Sequence, residues 1–227
     1  MSVTFKAVSK TYSIGSRPVC ALTGLTLSIE PGEFVAIMGP SGSGKSTLLN
    51  ILGCLHRPSS GEYLLDGQRV DSLSESELSK IRNKKIGFVF QSFNLLPRLT
   101  ALENVELPLV YAGHERKARK AASREILARL GLAERLVHRP SELSGGQQQR
   151  VAIARALVNK PSILLADEAT GNLDSKSAME IVGLLSELNL KGLTVVMVTH
   201  EREVAQYAKR LIVVRDGALV SDGQTAR

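Results

Sequence analysis

The chain has 227 residues, a formal net charge of +7 and a hydrophobic content of 43%, enough to bury a core. Its apolar runs are far shorter than the roughly 20 residues of a membrane-spanning helix, and its first residues lack the apolar core of an export signal. Cys20 and Cys54 are too few for a structural zinc site and are not expected to form a disulfide. We therefore expect a cytoplasmic protein.

The first part of the chain indicates strands. Residues 3–12 and 22–29 have strand patterns, and Leu25, Leu27 and Ile29 alternate with polar residues within the second run. This alternation is typical of a half-buried sheet, with one face covered and the other polar.

An apolar strand at 34–38 leads directly into the sequence GPSGSGKST at 39–47, and a helix is predicted over 45–55. The string fits the phosphate-binding loop G-x-x-x-x-G-K-[ST] in the strand–loop–helix context that this motif requires. Lys45 supplies a mobile charge for the β- and γ-phosphates, and the Ser46 hydroxyl is placed to bind Mg²⁺. Glycines let backbone amides point at phosphate oxygens. The candidate nucleotide-binding residues are Gly39, Ser41, Gly42, Ser43, Gly44, Lys45, Ser46 and Thr47.

Three later apolar runs, 86–90, 163–166 and 193–198, predict buried parallel strands, and an amphipathic helix is predicted at 175–190. Residues 97–160 have helical periodicity throughout. The pattern predicts an α/β fold in which a helical subdomain is inserted into a P-loop core. A C-terminal hairpin is predicted from strands at 211–215 and 218–221, which meet at Asp216-Gly217.

The strand ILLADE at 163–168 ends in two carboxylates and resembles a Walker B motif. Asp167 is predicted to hold Mg²⁺, and Glu168 to polarise the attacking water as general base. Two solvated acids at a strand end are the alternative interpretation, and the P-loop upstream favours the catalytic one.

The sequence LSGGQ at 143–147 reads as the start of a helix over 147–158. Ser144 suits the N-cap, and Gly145 and Gly146 permit close approach to backbone amides that can bind an anion. Without further context, a capped helix is an equally good interpretation of Ser144, Gly145, Gly146 and Gln147.

The order of P-loop, LSGGQ and Walker B resembles that of the ATP-binding-cassette (ABC) ATPases. The resemblance implies the ABC ATPase fold, which is a mainly parallel P-loop core with an N-terminal antiparallel β subdomain and an inserted α-helical subdomain. It implies one domain over 1–227, divided into a catalytic core with the β subdomain (1–91 and 161–227) and a helical subdomain (92–160). It also implies that segment 143–147 contacts the γ-phosphate of ATP held by the opposite subunit.

The same resemblance implies roles for four further residues. Gln91 matches the glutamine that contacts Mg²⁺ and water, and His200 matches the histidine that contacts the γ-phosphate. Asp174 matches the aspartate that couples the two sites, and Tyr12 the aromatic residue that stacks on adenine. Taken singly, each has a structural alternative as a loop amide, a strand-end histidine, a helix cap or an edge aromatic. The implied catalytic residues are Glu168, His200, Lys45 and Gln91, and the implied Mg²⁺ ligands are Ser46, Gln91 and Asp167.

Residues 86–109, with LSGGQQQRVAIARAL and TGNLDS, resemble the subgroup that serves lipoprotein release, macrolide or peptide export and mechanotransmission. This implies ATP and Mg²⁺ as ligands and a homodimer that forms on ATP binding. It also implies a separate transmembrane permease, with four spans and a large extracytoplasmic domain, which this chain joins at the cytoplasmic face of the inner membrane. Ala169 stands where many relatives have Pro, and we expect a looser turn there.

Two alternatives belong to other classes. A soluble ABC ATPase acting on DNA or the ribosome needs a coiled-coil insertion or two tandem cassettes, and neither is present in 227 residues. The basic stretch at 114–124 is predicted to be the solvated face of a helix, so no nucleic-acid partner is expected. A small P-loop kinase leaves LSGGQ, Gln91 and His200 unexplained.

Overall fold

Two β-sheets organise the computed structural model, which describes residues 1–15 and 17–225. The strands are β1 (Val3–Ile14), β2 (Arg17–Ile29), β3 (Phe34–Met38), β4 (Ser60–Leu65), β5 (Gln68–Arg69), β6 (Ile86–Phe90), β7 (Ile163–Asp167), β8 (Thr194–Val198), β9 (Arg210–Arg215) and β10 (Ala218–Gln224). One sheet has six strands in the order β10-β9-β3-β8-β7-β6, parallel except for β10. The other is antiparallel, in the order β2-β1-β4-β5.

Helices cover the six-stranded sheet. They are α1 (Lys45–Leu52), α2 (Glu75–Lys85), α3 (Ala101–Tyr111), α4 (Arg116–Arg129), α5 (Gly145–Leu157), α6 (Ser175–Leu190) and α7 (Arg202–Ala205), with 3₁₀ turns at Ala133–Arg135 and Pro140–Glu142. Helices α3 to α5 follow one another between β6 and β7, as the helical periodicity predicted. The basic stretch forms α4, and its charged residues lie mostly in solvent. None of the described helices is both long and apolar enough to cross a bilayer.

The pleat of the parallel strands divides the core into two layers. In β3, Phe34 and Ala36 pack with α3, α5 and α6, whereas Val35 and Ile37 pack with α1 and the antiparallel sheet. Successive side chains of a strand point to opposite faces, so a strand covered on both sides needs an unbroken apolar run. The predicted α/β fold and its buried parallel strands are confirmed.

Helix α1 is shorter than its sequence predicted, because it ends at Leu52 and not near residue 55. The Gly53 amide still donates to the Leu49 carbonyl at 2.9 Å, but Cys54 then adopts a left-handed φ of 56° that breaks the helix. A side chain at position 53 would overlap the Phe88 ring of β6. The helix therefore ends at the left-handed Cys54, before the later proline, and close packing of α1 on β6 requires glycine at position 53.

The sequence analysis made no prediction for residues 60–85, where β4, β5 and α2 lie. Two signals were available there. Asp66-Gly67 is a hairpin turn between β4 and β5. Ser74 and Glu77 form a capping box at the start of α2, in which Glu77 Oε2 accepts the Ser74 amide at 2.8 Å. The first two strands are also longer than predicted, since β1 continues to residue 14 and β2 begins at residue 17.

Four parallel strands end level with one another. Ile37 of β3 and Asp167 of β7 both pair with Val198 of β8, and Phe90 of β6 pairs with Asp167. The loops that follow these four strands therefore leave the sheet at the same edge. In open α/β sheets this edge, at the carboxyl ends of the strands, is where ligands bind.

Tyr63 offers a test of how α1 is held. Its side chain is fully buried, and its hydroxyl donates to the carbonyl of Leu52, the last residue of α1, at 2.7 Å. Tyr63→Phe leaves that carbonyl without this partner, and we expect the free energy of unfolding to fall by about 1–2 kcal/mol. Urea denaturation with an unchanged m-value measures the loss. Tyr111→Phe, at a residue 80% exposed, is the control and should change stability by less than about 0.5 kcal/mol. Equal midpoints for Tyr63→Phe and the wild type would show that the bond does not stabilise the fold.

Candidate functional site

Two adjoining cavities lie at this edge. The first, of about 320 Å³, is lined by Ala21, Gly39, Ser41, Gly42, Gly44, Lys45, Ser46, Thr47, Glu168 and His200. The second, of about 330 Å³, is lined by Ser46, Phe90, Gln91, Ser92, Asn94, Asp167 and Glu168. They share Ser46 and Glu168. The structure thus brings together the loops after β3, β6, β7 and β8, as the sequence predicted for the P-loop, the two carboxylates, Gln91 and His200.

The P-loop is shaped to take phosphate oxygens. Lys45 is 7% exposed, and its ammonium donates to the carbonyls of Gly39 and Pro40 at 2.9 and 2.7 Å. These carbonyls hold the positive charge at the cavity, where a phosphate oxygen can replace them as the partner. Gly44 adopts a φ of 101° at the start of α1, and a side chain there would meet the Ala21 carbonyl. The amides at the start of α1 consequently face an open anion site.

The Asp167 carboxylate lies in the second cavity beside Ser46. Burial, followed by the neighbouring Glu168 charge, raises the pKa of Asp167, while a hydrogen bond from Ser46 and the charge of Lys45 oppose the rise. The Gln91 side chain lines the same cavity. Mg²⁺ binds one or two carboxylates together with hydroxyls, waters and substrate phosphates, and this oxygen-rich set fits it. No cluster of three His, Cys, Asp or Glu side chains occurs in the described residues, so nucleotide oxygens would have to complete such a site.

Glu168 is held in a left-handed conformation with a φ of 46°, which is uncommon for a residue with a side chain. Its amide donates to the Val198 carbonyl at 3.0 Å, and His200 Nδ1 lies 3.5 Å from its Oε1. The Ala169 carbonyl accepts a hydrogen bond from the buried Gln149 side chain at 2.6 Å. The turn is therefore held by side-chain and backbone bonds although Ala169 replaces the expected proline. Strain of this kind is typical of functional positions.

Gln91 lies in a kinked loop whose geometry depends on residues that the sequence analysis did not single out. Asn172 Nδ2 donates to the Gln91 carbonyl at 3.1 Å. Phe93 and Asn94 have left-handed φ values of 58° and 50°, and the Arg155 guanidinium donates to both of their carbonyls, at 2.9 and 2.6 Å. A charged residue directly after the apolar helix segment 151–154 was the available signal for such a half-buried anchor.

The segment Ser144 to Gln147 does not line either phosphate-site cavity in the described chain. Ser144 caps α5, its amide donating to Gln147 Oε1 at 3.0 Å. Position 145 faces the loop before α6, and position 146 faces Ser177 in its first turn. Asp174 caps that helix by accepting the Ser177 amide at 3.0 Å. The Ser177 hydrogen bonds lower the pKa of Asp174. The structure therefore groups Asp174 with this segment and separates both from the P-loop.

Tyr12 also does not line either cavity, but it lies close to the first one. Its Cα is paired with that of Val19, two residues before Ala21, which lines the first cavity. At about 3.3 Å per residue, Val19 is roughly 7 Å from Ala21 along β2. The Tyr12 hydroxyl shares a hydrogen bond with His56 Nδ1 at 2.7 Å.

A phosphate loop, a basic side chain at its mouth, a carboxylate beside the loop's hydroxyl and a second carboxylate at the cavity define a P-loop nucleotide-binding protein. The chain belongs to the ABC transporter family, whose profile matches residues 22–171. It is the ATP-binding cassette of that family, an ATPase.

Two similar proteins illustrate the relationship. The macrolide export ATP-binding/permease protein MacB of Rhodopseudomonas palustris (strain HaA2) is 54% identical over 99% of this chain, which spans 34% of MacB. The ABC transporter ATP-binding protein YknY of Bacillus subtilis (strain 168), described as uncharacterized, is 53% identical over 96% of this chain and 95% of its own length.

A solved structure agrees with the fold. The dimeric, post-hydrolysis ATP-binding cassette MJ0796 bound to ADP and Pi superposes with a TM-score of 0.91 at 50% identity, covering 99% of each chain. The predicted ABC ATPase resemblance and fold are confirmed.

Asp167 offers a stability test without nucleotide. Its pKa lies above the ordinary value of 3.8, so the folded state binds more protons than the unfolded state, and this carboxylate reduces stability as the pH rises through its folded pKa. We expect Asp167→Asn to raise the melting temperature of the nucleotide-free protein at pH 7.5 and to lose that advantage towards pH 4. Asp174→Asn is the matched control, because the lowered pKa of Asp174 predicts no such gain. A lower melting temperature for Asp167→Asn at pH 7.5 would contradict burial as the dominant cause.

Proposed function

We propose that two copies of this chain pack head to tail and bind two ATP molecules between them, as the ATP-hydrolysing subunits of a membrane transport complex. Lys45, Gln91 and His200 of one copy hold each γ-phosphate, and Ser144 and Gly146 of the other copy contact it from the opposite side. The separation of the LSGGQ segment from the P-loop cavity within one chain carries this proposal. The dimeric state of the similar cassette MJ0796 supports it.

Within each site, Glu168 is the general base that takes the proton of the attacking water. His200, 3.5 Å from the Glu168 carboxylate, orients that carboxylate and the γ-phosphate. Asp167, with Ser46 and Gln91, would hold Mg²⁺, which supplies charge neutralisation at the phosphates when bound. The remaining P-loop residues, namely Gly39, Ser41, Gly42, Ser43, Gly44 and Thr47, surround the phosphates, while Gly145 and Gln147 shape the opposing loop and Asp174 connects the two sites.

ATP drives closure because it binds the closed dimer better than the open form, and only this difference in affinity can shift the equilibrium. Hydrolysis separates the γ-phosphate from the nucleotide, which removes the charge that bridges the two copies. The dimer then parts. A cycle of closing and opening is the mechanical output that a partner can use.

A third cavity, of about 910 Å³, is the surface that we assign to that partner. It lies between α2, β6, α3 and α5, where the Phe88 and Phe90 rings stack at 5.6 Å and Tyr111 stands exposed at the rim. Phe90 and Asn94 also line the cavity that contains Gln91. A short helix docked here would therefore contact the same loop that positions Gln91.

The partner that we propose is a separate permease with four spans and a large extracytoplasmic domain, which holds the dimer at the cytoplasmic face of the inner membrane. The name of the MacB relatives, ATP-binding/permease protein, supports a permease as the partner. We also propose the division into a core (1–91 and 161–227) and a helical subdomain (92–160), since relative movement of the two would open or close the groove between them.

Replacing the proposed base separates binding from chemistry. In Glu168→Gln we expect ATP affinity to persist, turnover to fall by about 10²–10⁴-fold and an ATP-bound dimer to accumulate, because the amide cannot take the proton. Phosphate release and size-exclusion chromatography with ATP measure both effects. Glu180→Gln, on the exposed side of α6, is the control and should hydrolyse ATP normally. Wild-type turnover in Glu168→Gln would exclude Glu168 as the base.

Removal of the P-loop charge should abolish binding itself. Lys45→Ala removes the ammonium that now donates to two backbone carbonyls and that would donate to phosphate oxygens when ATP binds. We therefore expect nucleotide affinity to fall below detection in equilibrium titration. Lys191→Ala, at the C-terminal end of α6, is the control for loss of a lysine. Normal ATP affinity in Lys45→Ala would contradict the assignment of the phosphate site.

The partner assignment is tested by capture from source-cell membranes. Tagged Glu168→Gln with ATP should retain a four-span permease, identified by mass. The same protein carrying Tyr111→Ala and Leu96→Ala, two exposed residues of the groove that line neither phosphate-site cavity, should still dimerise with ATP but retain less permease. A six-span permease, or equal capture by the groove variant, would contradict the subgroup or the docking surface respectively.

A further inference from the structure

A histidine outside every motif contacts Tyr12, which the family resemblance implies stacks on adenine and which we propose as the residue that binds the nucleotide base. His56 Nδ1 lies 2.7 Å from the Tyr12 hydroxyl, and the two rings meet edge to face with centroids 5.6 Å apart and planes at 73°. A tyrosine has two side-chain torsions, and a hydrogen bond at the far end of its ring restricts both. The Tyr12 ring is therefore oriented before any base arrives.

The backbone at His56 is itself anchored to the helix that begins at the P-loop. The amides of Leu55 and His56 both donate to the carbonyl of Asn50 in α1, at 2.8 and 3.2 Å. The next side chain, Arg57, donates to the Asp71 carbonyl at 2.8 Å. Helix α1 thus holds the phosphate site at one end and His56 at the other.

A lysine restrains the Tyr12 ring from a further direction. Lys10 Nζ lies 5.1 Å from the centre of the ring and donates to the Arg57 carbonyl at 2.7 Å. A cation at this distance is attracted to the face of an aromatic ring. Because the ammonium covers one face, a planar base has the other face of Tyr12 to stack on.

We propose that His56 is a positioning residue for the nucleotide base, with Lys10 as its support. His56 does not contact ATP. It holds the Tyr12 ring in the orientation in which adenine stacks, which lowers the ordering cost of binding. This rests on the proposed role of Tyr12 as the stacking residue. The contribution concerns the base alone, so it should leave the phosphates and the hydrolysis step unchanged.

The test compares ATP with tripolyphosphate, which has no base, in His56→Ala, Tyr12→Phe and the double variant. We expect each single variant to raise the KM and Kd for ATP about two- to tenfold, the effect of one lost hydrogen bond. The double variant should be no weaker than either single one, because both remove the same bond. The kcat and the tripolyphosphate affinity should stay at wild-type values, and His56→Asn, which retains a hydrogen-bonding side chain, should restore part of the ATP affinity.

The controls separate this proposal from the one on which it depends. His114→Ala, at an exposed histidine between α3 and α4, should leave ATP affinity unchanged. If Tyr12→Ala weakens ATP binding while His56→Ala and Tyr12→Phe do not, the positioning role is wrong and the stacking role stands. If Tyr12→Ala binds ATP normally, the stacking assignment itself fails. An equal loss of tripolyphosphate affinity in His56→Ala would show general disturbance of α1, which also overturns the proposal.

Discussion

The level ends of four parallel strands are the constraint on which this molecule depends. Parallel pairing places Ile37, Val198, Asp167 and Phe90 in one row, so the chain leaves the sheet at neighbouring points four times. Residues far apart in sequence therefore line the same two cavities, because the strands that precede them are paired. Apolar burial on both faces stabilises this arrangement, and the polar loops need only be short.

The electrostatics of the site oppose the stability of the fold in the absence of a ligand. Lys45 is buried and Asp167 is half-buried, and burial raises the pKa of Asp167. Backbone carbonyls hold the lysine, and the Ser46 hydroxyl holds the aspartate. These partners are weaker than the phosphates and the cation that ATP brings. A site arranged in this way gains most when the nucleotide binds, which is the difference that conformational coupling requires.

Two side chains of α5, the buried Gln149 and the half-buried Arg155, hold the loops of the candidate site. Gln149 supports the turn after Glu168, and Arg155 holds two successive left-handed residues beyond Gln91. Helix α5 begins at the LSGGQ segment. Helix α5 therefore connects the segment that we propose contacts the opposite ATP, the turn after Glu168 and the loop beside the proposed docking groove.

The sequence alone determined the elements that depend on a local pattern of residues, such as a run of apolar side chains or a phosphate-binding motif. Apolar runs of four to six residues predicted the parallel strands, which the structure confirms. GPSGSGKST, the two carboxylates and LSGGQ predicted the site residues, since phosphate chemistry permits few alternatives at those positions, and their roles stay predictions. Local patterns did not determine where α1 ends, because apolar residues continue to Leu55, past the left-handed Cys54 at which the helix breaks. They could not indicate that Asn172, Arg155 and His56 brace functional residues, because each acts through a contact made only after folding. The tertiary structure also decided that LSGGQ lies away from the P-loop of its own chain, since strand order and helix packing, and not motif spacing, set that distance.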